Sequence, residues 1–157
     1  MKITAQLIRE VRQDSGAPML RAKKVLEEVG DLPAQAGKKK AIEILKKEGF
    51  DKMAKRTDRT TSAGVVVAYT HHTGKVACLV ELLCETDFVA KNEVFLELAN
   101  NIAMQAASMS PKDDKELLGQ EFIKDPSKKI EELVKEVTAK TGENIRLGRF
   151  VRIEVGN

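Results

Sequence analysis

Apolar residues return every three to four positions through residues 1–50, switch to alternation over residues 65–83, and resume helical spacing beyond residue 92. Ile3, Leu7, Ile8 and Val11 form a first stripe, with Thr4 as candidate N-cap and Gly16 as the stop. Pro18 fits the first turn of a second helix, where a missing backbone donor is harmless. Ala22, Val25, Leu26 and Val29 give that helix its buried face, and Gly30 ends it. A third helix is predicted from about Pro33 to Lys47; it buries Ala41, Ile42 and Leu45, sets Lys46 and Lys47 at its negative end, and closes at Gly49. Three helices of this length enclose a small core that is marginal in stability by itself.

Residues 51–62 are charged and poor in large apolar side chains, the pattern of a linker or an exposed helical connector. A hairpin follows: strand 65–71, a turn over His72-Thr73-Gly74-Lys75, and strand 76–83. Val76, Cys78, Val80 and Leu82 point to one face of the second strand, while Ala77, Leu79 and Leu83 point to the other. Helices of the same chain can cover one such face. Covering the other needs a further layer, because about 400 Å² of apolar surface left in water forgoes about 10 kcal/mol.

At Cys84-Glu85-Thr86-Asp87-Phe88-Val89-Ala90-Lys91-Asn92 the strand pattern gives way to a helical one, in which Phe95, Leu98, Ala99, Ile102, Ala106 and Met109 share a face. Thr86, Asp87, Phe88 and Val89 therefore form a strand-to-helix corner, a setting that often carries contact residues. Two readings of the corner stand: Phe88 and Asp87 reach out to a partner, or Phe88 tucks under the next helix while Asp87 bonds local amides. Asn92 caps the helix and Pro111 ends it; residues 112–124 are polar, with one helical turn around Leu117. Asp125 and Pro126 are predicted to open a last helix, buried through Ile130, Leu133, Val134 and Val137 and stopped at Gly142. A final strand places Ile145, Leu147, Val151, Ile153 and Val155 on one face, with Arg146, Phe150, Arg152 and Glu154 on the other. The fold class is α+β: a three-helix bundle over residues 1–50, a connector over 51–62, and a core over 63–157 with a three-stranded antiparallel sheet packed on helices.

Composition narrows the chemistry. In 157 residues, 42% are apolar and 32% charged, which suits a folded domain rather than a disordered chain. The net charge of +3 is small, and Lys and Arg alternate with Glu and Asp, so a protein partner is favoured over nucleic acid. No apolar run approaches the ~20 residues of a membrane span, and the opening residues lack a signal-peptide core, which predicts a cytoplasmic protein. Cys78 and Cys84 lie at the two ends of one strand, too far apart for a bridge at ~3.3 Å per residue. They read as buried thiols, and a zinc site would need more ligands than they and His71-His72 supply. Gly30 and Gly37 are separated by six residues, and Lys38 is followed by Lys39, so the spacing is not that of a phosphate loop. Lys38, Lys39 and Lys40 read as a solvated face. No cofactor, metal or enzymatic role is predicted.

The string Glu85-Thr86-Asp87-Phe88-Val89-Ala90-Lys91-Asn92, with Phe95 after it, resembles the bacterial elongation factor Ts family, as does Gly142-Glu143-Asn144-Ile145 leading to Arg149-Phe150-Val151-Arg152. The residue 1–50 bundle is similar to that family's ubiquitin-associated-like module, with Ser15-Gly16-Ala17-Pro18-Met19-Leu20 matching its loop, although the family usually has Gly-Met where this chain has Pro18-Met19. The segment from Gly30 to Lys40 is longer and more basic than the family norm. A long helical insertion of the nearest forms is reduced to about nine residues between Pro111 and Glu121, and the second core subdomain and coiled-coil module of longer members are absent.

The resemblance implies a guanine-nucleotide exchange factor for elongation factor Tu, with Asp87 and Phe88 intruding beside that GTPase's magnesium site while Thr86 and Val89 hold the corner. It also implies that Gly16, Ala17, Pro18, Met19 and Leu20 dock on the nucleotide-binding domain and that a single-core chain pairs as a homodimer. The alternatives are a diverged Ts-like protein that binds but exchanges poorly, an RNA-binding module stacking bases on Tyr69 and Phe150 among Arg146, Arg149 and Arg152, and a thiol enzyme using Cys78 or Cys84 near His71 or His72.

Overall fold

The structure, a computed structural model, describes residues 2–54 and 58–157. The chain divides into two compact units, Met1–Thr57 with Ala139–Gly142, and Asp58–Thr138 with Glu143–Asn157.

In the first unit, α1 (Ala5–Ser15) starts where the Thr4 side chain accepts the Leu7 amide and stops where Gly16 turns left-handed at φ 71° and donates to the Arg12 carbonyl. Helix α2 (Met19–Val29) has Pro18 at its N-cap and Gly30 after its last turn. Val11, Ala22, Val25, Leu26, Ala41 and Leu45 form the buried core, with Leu7, Ile8 and Ile42 packed against it. Helix α3 (Ala34–Ala54) runs through Gly49 rather than closing there. One interior glycine costs about 1 kcal/mol relative to alanine, too little to end a helix whose preceding turns are packed. The predicted 51–62 connector thus begins as helix through Ala54; residues 55–57 lie outside the described residues, and 58–62 form a turn and an irregular lead into the next strand. Lys38 departs from a purely solvated face: its ammonium donates to Glu10 at 2.9 Å and reaches Asp14 at 3.2 Å, and these carboxylates raise its pKa. Arg21 likewise donates to Glu48 at 2.9 Å and to Glu28 at 2.8 Å.

The second unit is built on an antiparallel sheet of order β1-β2-β5, from β1 (Ala63–Thr70), β2 (Val76–Cys84) and β5 (Arg146–Glu154). Helix α4 (Asp87–Ala90) is one turn, and α5 (Glu93–Met109) lies across one sheet face. Cys78, Val80, Leu82 and Cys84 from β2 meet Phe95, Leu98, Ala99, Ile102 and Ala106 from α5, closed at the margins by Leu117, Phe122, Ile130 and Ile145. Helix α6 (Asp114–Gly119) is capped by Asp113, whose carboxylate accepts the Glu116 amide at 2.7 Å.

Two predictions for this unit are corrected. Asp125 and Pro126 open no helix: Asp125–Lys129 is strand β4, paired with β3 (Glu121–Phe122), and helix α7 is Ile130–Thr141. Asp125 accepts from both the amide and the hydroxyl of Ser127, a local turn that competes with helix initiation. The fully buried Gln105 then fixes the hairpin, donating to Gln120 at 3.1 Å and the Glu121 carbonyl at 3.0 Å and accepting from the Ile123 amide at 3.0 Å. The second correction concerns β5. Val80 pairs with Phe150 but Leu82 with Leu147, so β5 carries one extra residue at Gly148–Arg149. Alternation reverses there: Leu147 and Phe150 both pack towards the core, while Val151 and Ile153 are exposed on the opposite face. Glu81 occupies the bulge, accepting the Arg149 amide at 3.1 Å; a Cβ at Gly148 would overlap its carboxylate.

Candidate functional site

The corner after β2 is held from inside and open to the outside. Thr86 is extended (φ −132°, ψ 156°) and its carbonyl accepts from the Ala90 amide at 3.2 Å and from the Cys84 thiol at 3.2 Å. The turn of α4 points Val89 and Ala90 into the core at 8% and 5% exposure. The same geometry sends Asp87 and Phe88 outward, and Phe88 is 90% exposed. The tucked-under reading of Phe88 is therefore excluded. Asn92 joins the corner to α5: its amide donates to the Val89 carbonyl at 3.0 Å, and its side chain accepts the Val94 amide at 2.9 Å.

A brace not foreseen from the sequence fixes the corner from across the unit. Glu143 accepts the Thr86 hydroxyl at 2.6 Å and the Thr86 amide at 3.0 Å. Glu85 returns the contact, accepting the Asn144 amide at 2.7 Å and the Arg59 guanidinium at 3.2 Å. Thr86 and Glu143 stand 57 positions apart and Glu85 and Asn144 59, beyond the reach of any periodicity. The one available signal was the Gly142-Glu143-Asn144-Ile145 string, a polar stop placed between helix and strand.

The second group of candidates lies in the first unit. Gly16 and Ala17 form the α1–α2 loop, where the Ala17 amide donates to the Ser15 hydroxyl at 3.3 Å and Ser15 itself donates to the Val11 carbonyl at 2.6 Å. Pro18 is extended and its carbonyl accepts the Ala22 amide, so the next two side chains leave the helix start freely. Met19 is 49% and Leu20 79% exposed, a small apolar prominence, while Ala17 packs against the bundle core. The structure thus places Thr86, Asp87, Phe88 and Val89 together at one corner and Gly16, Ala17, Pro18, Met19 and Leu20 together at one loop, each group within its own unit.

Two alternative chemistries lose their geometry. Cys78 and Cys84 are buried, and burial, joined for Cys84 by the neighbouring Glu143 carboxylate, pushes their thiols up rather than down. Tyr69 and Phe150 pack towards α5 and not on the open sheet face, and Arg152 is turned to the Ala107 carbonyl at 2.9 Å and Glu154 at 2.7 Å. Neither a reactive thiol nor a stacking platform results. Among the described residues no helix is long and apolar enough to cross a membrane, and no group of three or more His, Cys, Asp or Glu is placed to hold a metal.

A helical unit with an apolar loop, joined to an α+β core with an outward aromatic, exposes apolar side chains of the kind found at interaction surfaces. Comparison with known sequences identifies the family. A family model described as elongation factor TS matches residues 85–157. Elongation factor Ts of Thermotoga petrophila is 37% identical over 199 aligned positions, covering 99% of this chain and 98% of the relative. That of Nitratidesulfovibrio vulgaris is 38% identical over 201 positions, with 99% and 98% covered, and that of Fervidobacterium nodosum 36% over 202, with 99% and 100% covered. The chain belongs to the elongation factor Ts family. The Thermotoga alignment spans 199 positions against 157 residues here, so these relatives carry segments that this chain does not.

Proposed function

We propose that this chain is a guanine-nucleotide exchange factor for elongation factor Tu, and that the corner Thr86-Asp87-Phe88-Val89 is the part that acts on the nucleotide site. The observation that carries the reading is Phe88: an aromatic ring 90% exposed on a turn whose next two residues are buried. Exposing a phenyl ring forgoes the favourable burial of more than 150 Å², and its burial in a partner recovers that energy.

Exchange needs no bond-making. Factor and nucleotide bind the GTPase with mutual antagonism, and linkage makes that antagonism reciprocal. A thousandfold loss of nucleotide affinity corresponds to about 4 kcal/mol of coupling. Phe88 enters between elements of the GTPase that must shift to admit it, and Asp87 brings a carboxylate near the magnesium and phosphate contacts that the nucleotide depends on. Met19 and Leu20, with Gly16, Ala17 and Pro18 shaping their loop, dock on the nucleotide-binding domain. The core pairs with a second copy through the open sheet face, where Val66, Leu79, Val151 and Ile153 are exposed.

The test is release of a fluorescent GDP analogue from elongation factor Tu, with and without catalytic amounts of this protein. Rapid stimulated release is expected. Binding without stimulation would identify instead a diverged relative that keeps the partner and lacks the activity, a reading that the relatives' additional segments would then favour.

A further inference from the structure

We propose that Glu143 is a positioning residue for exchange: by holding Thr86 at two atoms it fixes the direction in which Phe88 leaves the corner. The inference rests on the wedge reading of Phe88 and adds to it a residue that does not touch the partner. Helix α4 is only four residues long. One turn of helix fixes several backbone dihedrals for very few hydrogen bonds and does not hold its direction unaided.

Nor does Thr86 stabilise that turn in the usual way. It occupies the N-cap position but makes no capping bond with its side chain. Its hydroxyl is committed to Glu143 at 2.6 Å instead, and its amide to the other oxygen of the same carboxylate at 3.0 Å. Charge-assisted bonds of this kind are shorter and stronger than neutral ones, and two on one residue set orientation as well as distance. Glu85 mirrors the arrangement by accepting the Asn144 amide at 2.7 Å. The result is a crossed clasp, in which a glutamate on each segment takes the backbone N–H beside the other. It ties the end of β2 to the start of β5, while Val89 and Ala90 anchor the far side of the turn in the core. Phe88 lies between clasp and anchor with its ring in solvent. Pre-ordering spares the ordering entropy that a loose corner would lose on binding.

The experiment measures stimulated GDP release and thermal unfolding for the wild type, Phe88→Ala, Glu143→Ala, Glu143→Gln and the double variant Phe88→Ala with Glu143→Ala. Glu143→Ala is expected to lower stimulated release at least about fivefold, the lower end of ordinary coupling between sites. Glu143→Gln restores most of it, because the amide oxygen still accepts the Thr86 N–H and the amide N–H₂ can donate to the Thr86 hydroxyl. In the Phe88→Ala background, Glu143→Ala adds no further loss. An equal further loss there would overturn the proposal, since Glu143 would then act through the fold at large. Wild-type release by Glu143→Ala, alongside impaired Phe88→Ala, would overturn it and leave the wedge standing; an unimpaired Phe88→Ala would remove the wedge and the proposal with it. Should Glu143→Ala fail to fold, Thr86→Val deletes only the hydroxyl donor and must show the same non-additivity with Phe88→Ala.

Discussion

Several carboxylates in the second unit are held by specific donors, and acid reads them out. The Glu81 carboxyl is held below its ordinary range, first by the Arg149 amide in the β5 bulge and then by the Arg149 charge; Glu154 is lowered by Arg152 and Asp125 by Ser127. In each case the folded state binds fewer protons than the unfolded one. The stabilisation is complete above the unfolded carboxylate range, about 4.3 for glutamate, and is lost as pH falls from there through the lower folded values. The thermal unfolding temperature should therefore decline below about pH 4.5, and Glu81→Gln should flatten that decline. Parallel curves for the two proteins would show that Glu81 gains nothing from the bulge. Residue by residue, the corner itself was legible in the sequence because a period of two gives way to a helical period at Glu85–Asp87. That Phe88 points outward was not legible, since one turn of helix can direct either 87–88 or 89–90 inward, and packing of Val89 and Ala90 against the sheet and α5 made the choice.

At the scale of elements, helix ends followed local chemistry closely: Thr4, Gly16 and Gly30 stand where caps and stops were expected. Where the helix predictions failed, distant packing overrode a local signal, joined at Asp125 by its own turn with Ser127. Gly49 is a weak stop in a helix whose preceding turns are packed through Ala41 and Leu45. The Asp125–Pro126 pair serves a helix start and a strand edge equally well, and the choice fell to the buried Gln105 reaching from α5 to the hairpin. Replacing it with an apolar residue of similar size tests that account. Gln105→Leu strands the Ile123 amide, an expected cost of about 1–3 kcal/mol. Thermal unfolding should fall by several degrees, and exchange of the Ile123 amide should accelerate more than exchange in β1. Uniform acceleration across both elements would contradict a local role for Gln105.

At the scale of the whole molecule, the open sheet face is the largest feature left to explain. Ala68, Leu79 and Val151 are paired across the three strands, with Ala77 and Ile153 in the next row, and Val66 at 68%, Leu79 at 50%, Val151 at 56% and Ile153 at 68% are exposed. The bulge at Gly148–Arg149 is what turns Val151 and Ile153 onto this face, so an irregularity in one strand enlarges the apolar surface. A contiguous apolar patch of this kind marks an interaction surface. If a second copy covers it, light scattering should give twice the chain mass, and Leu79→Glu should give the single mass with the fold retained. A wild-type monomer at micromolar concentration would remove the dimer.

If a ring held outward at one corner of the core drives nucleotide release, removing that ring must lower the stimulation and spare the fold. Stimulated GDP release from elongation factor Tu is measured for the wild type and Phe88→Ala, with thermal unfolding of each recorded in parallel. Because Phe88 contributes so little to the core, Phe88→Ala should unfold within about a degree or two of the wild type while stimulated release falls severalfold or more. Undiminished release by a fully folded Phe88→Ala protein would show that the ring does not drive exchange.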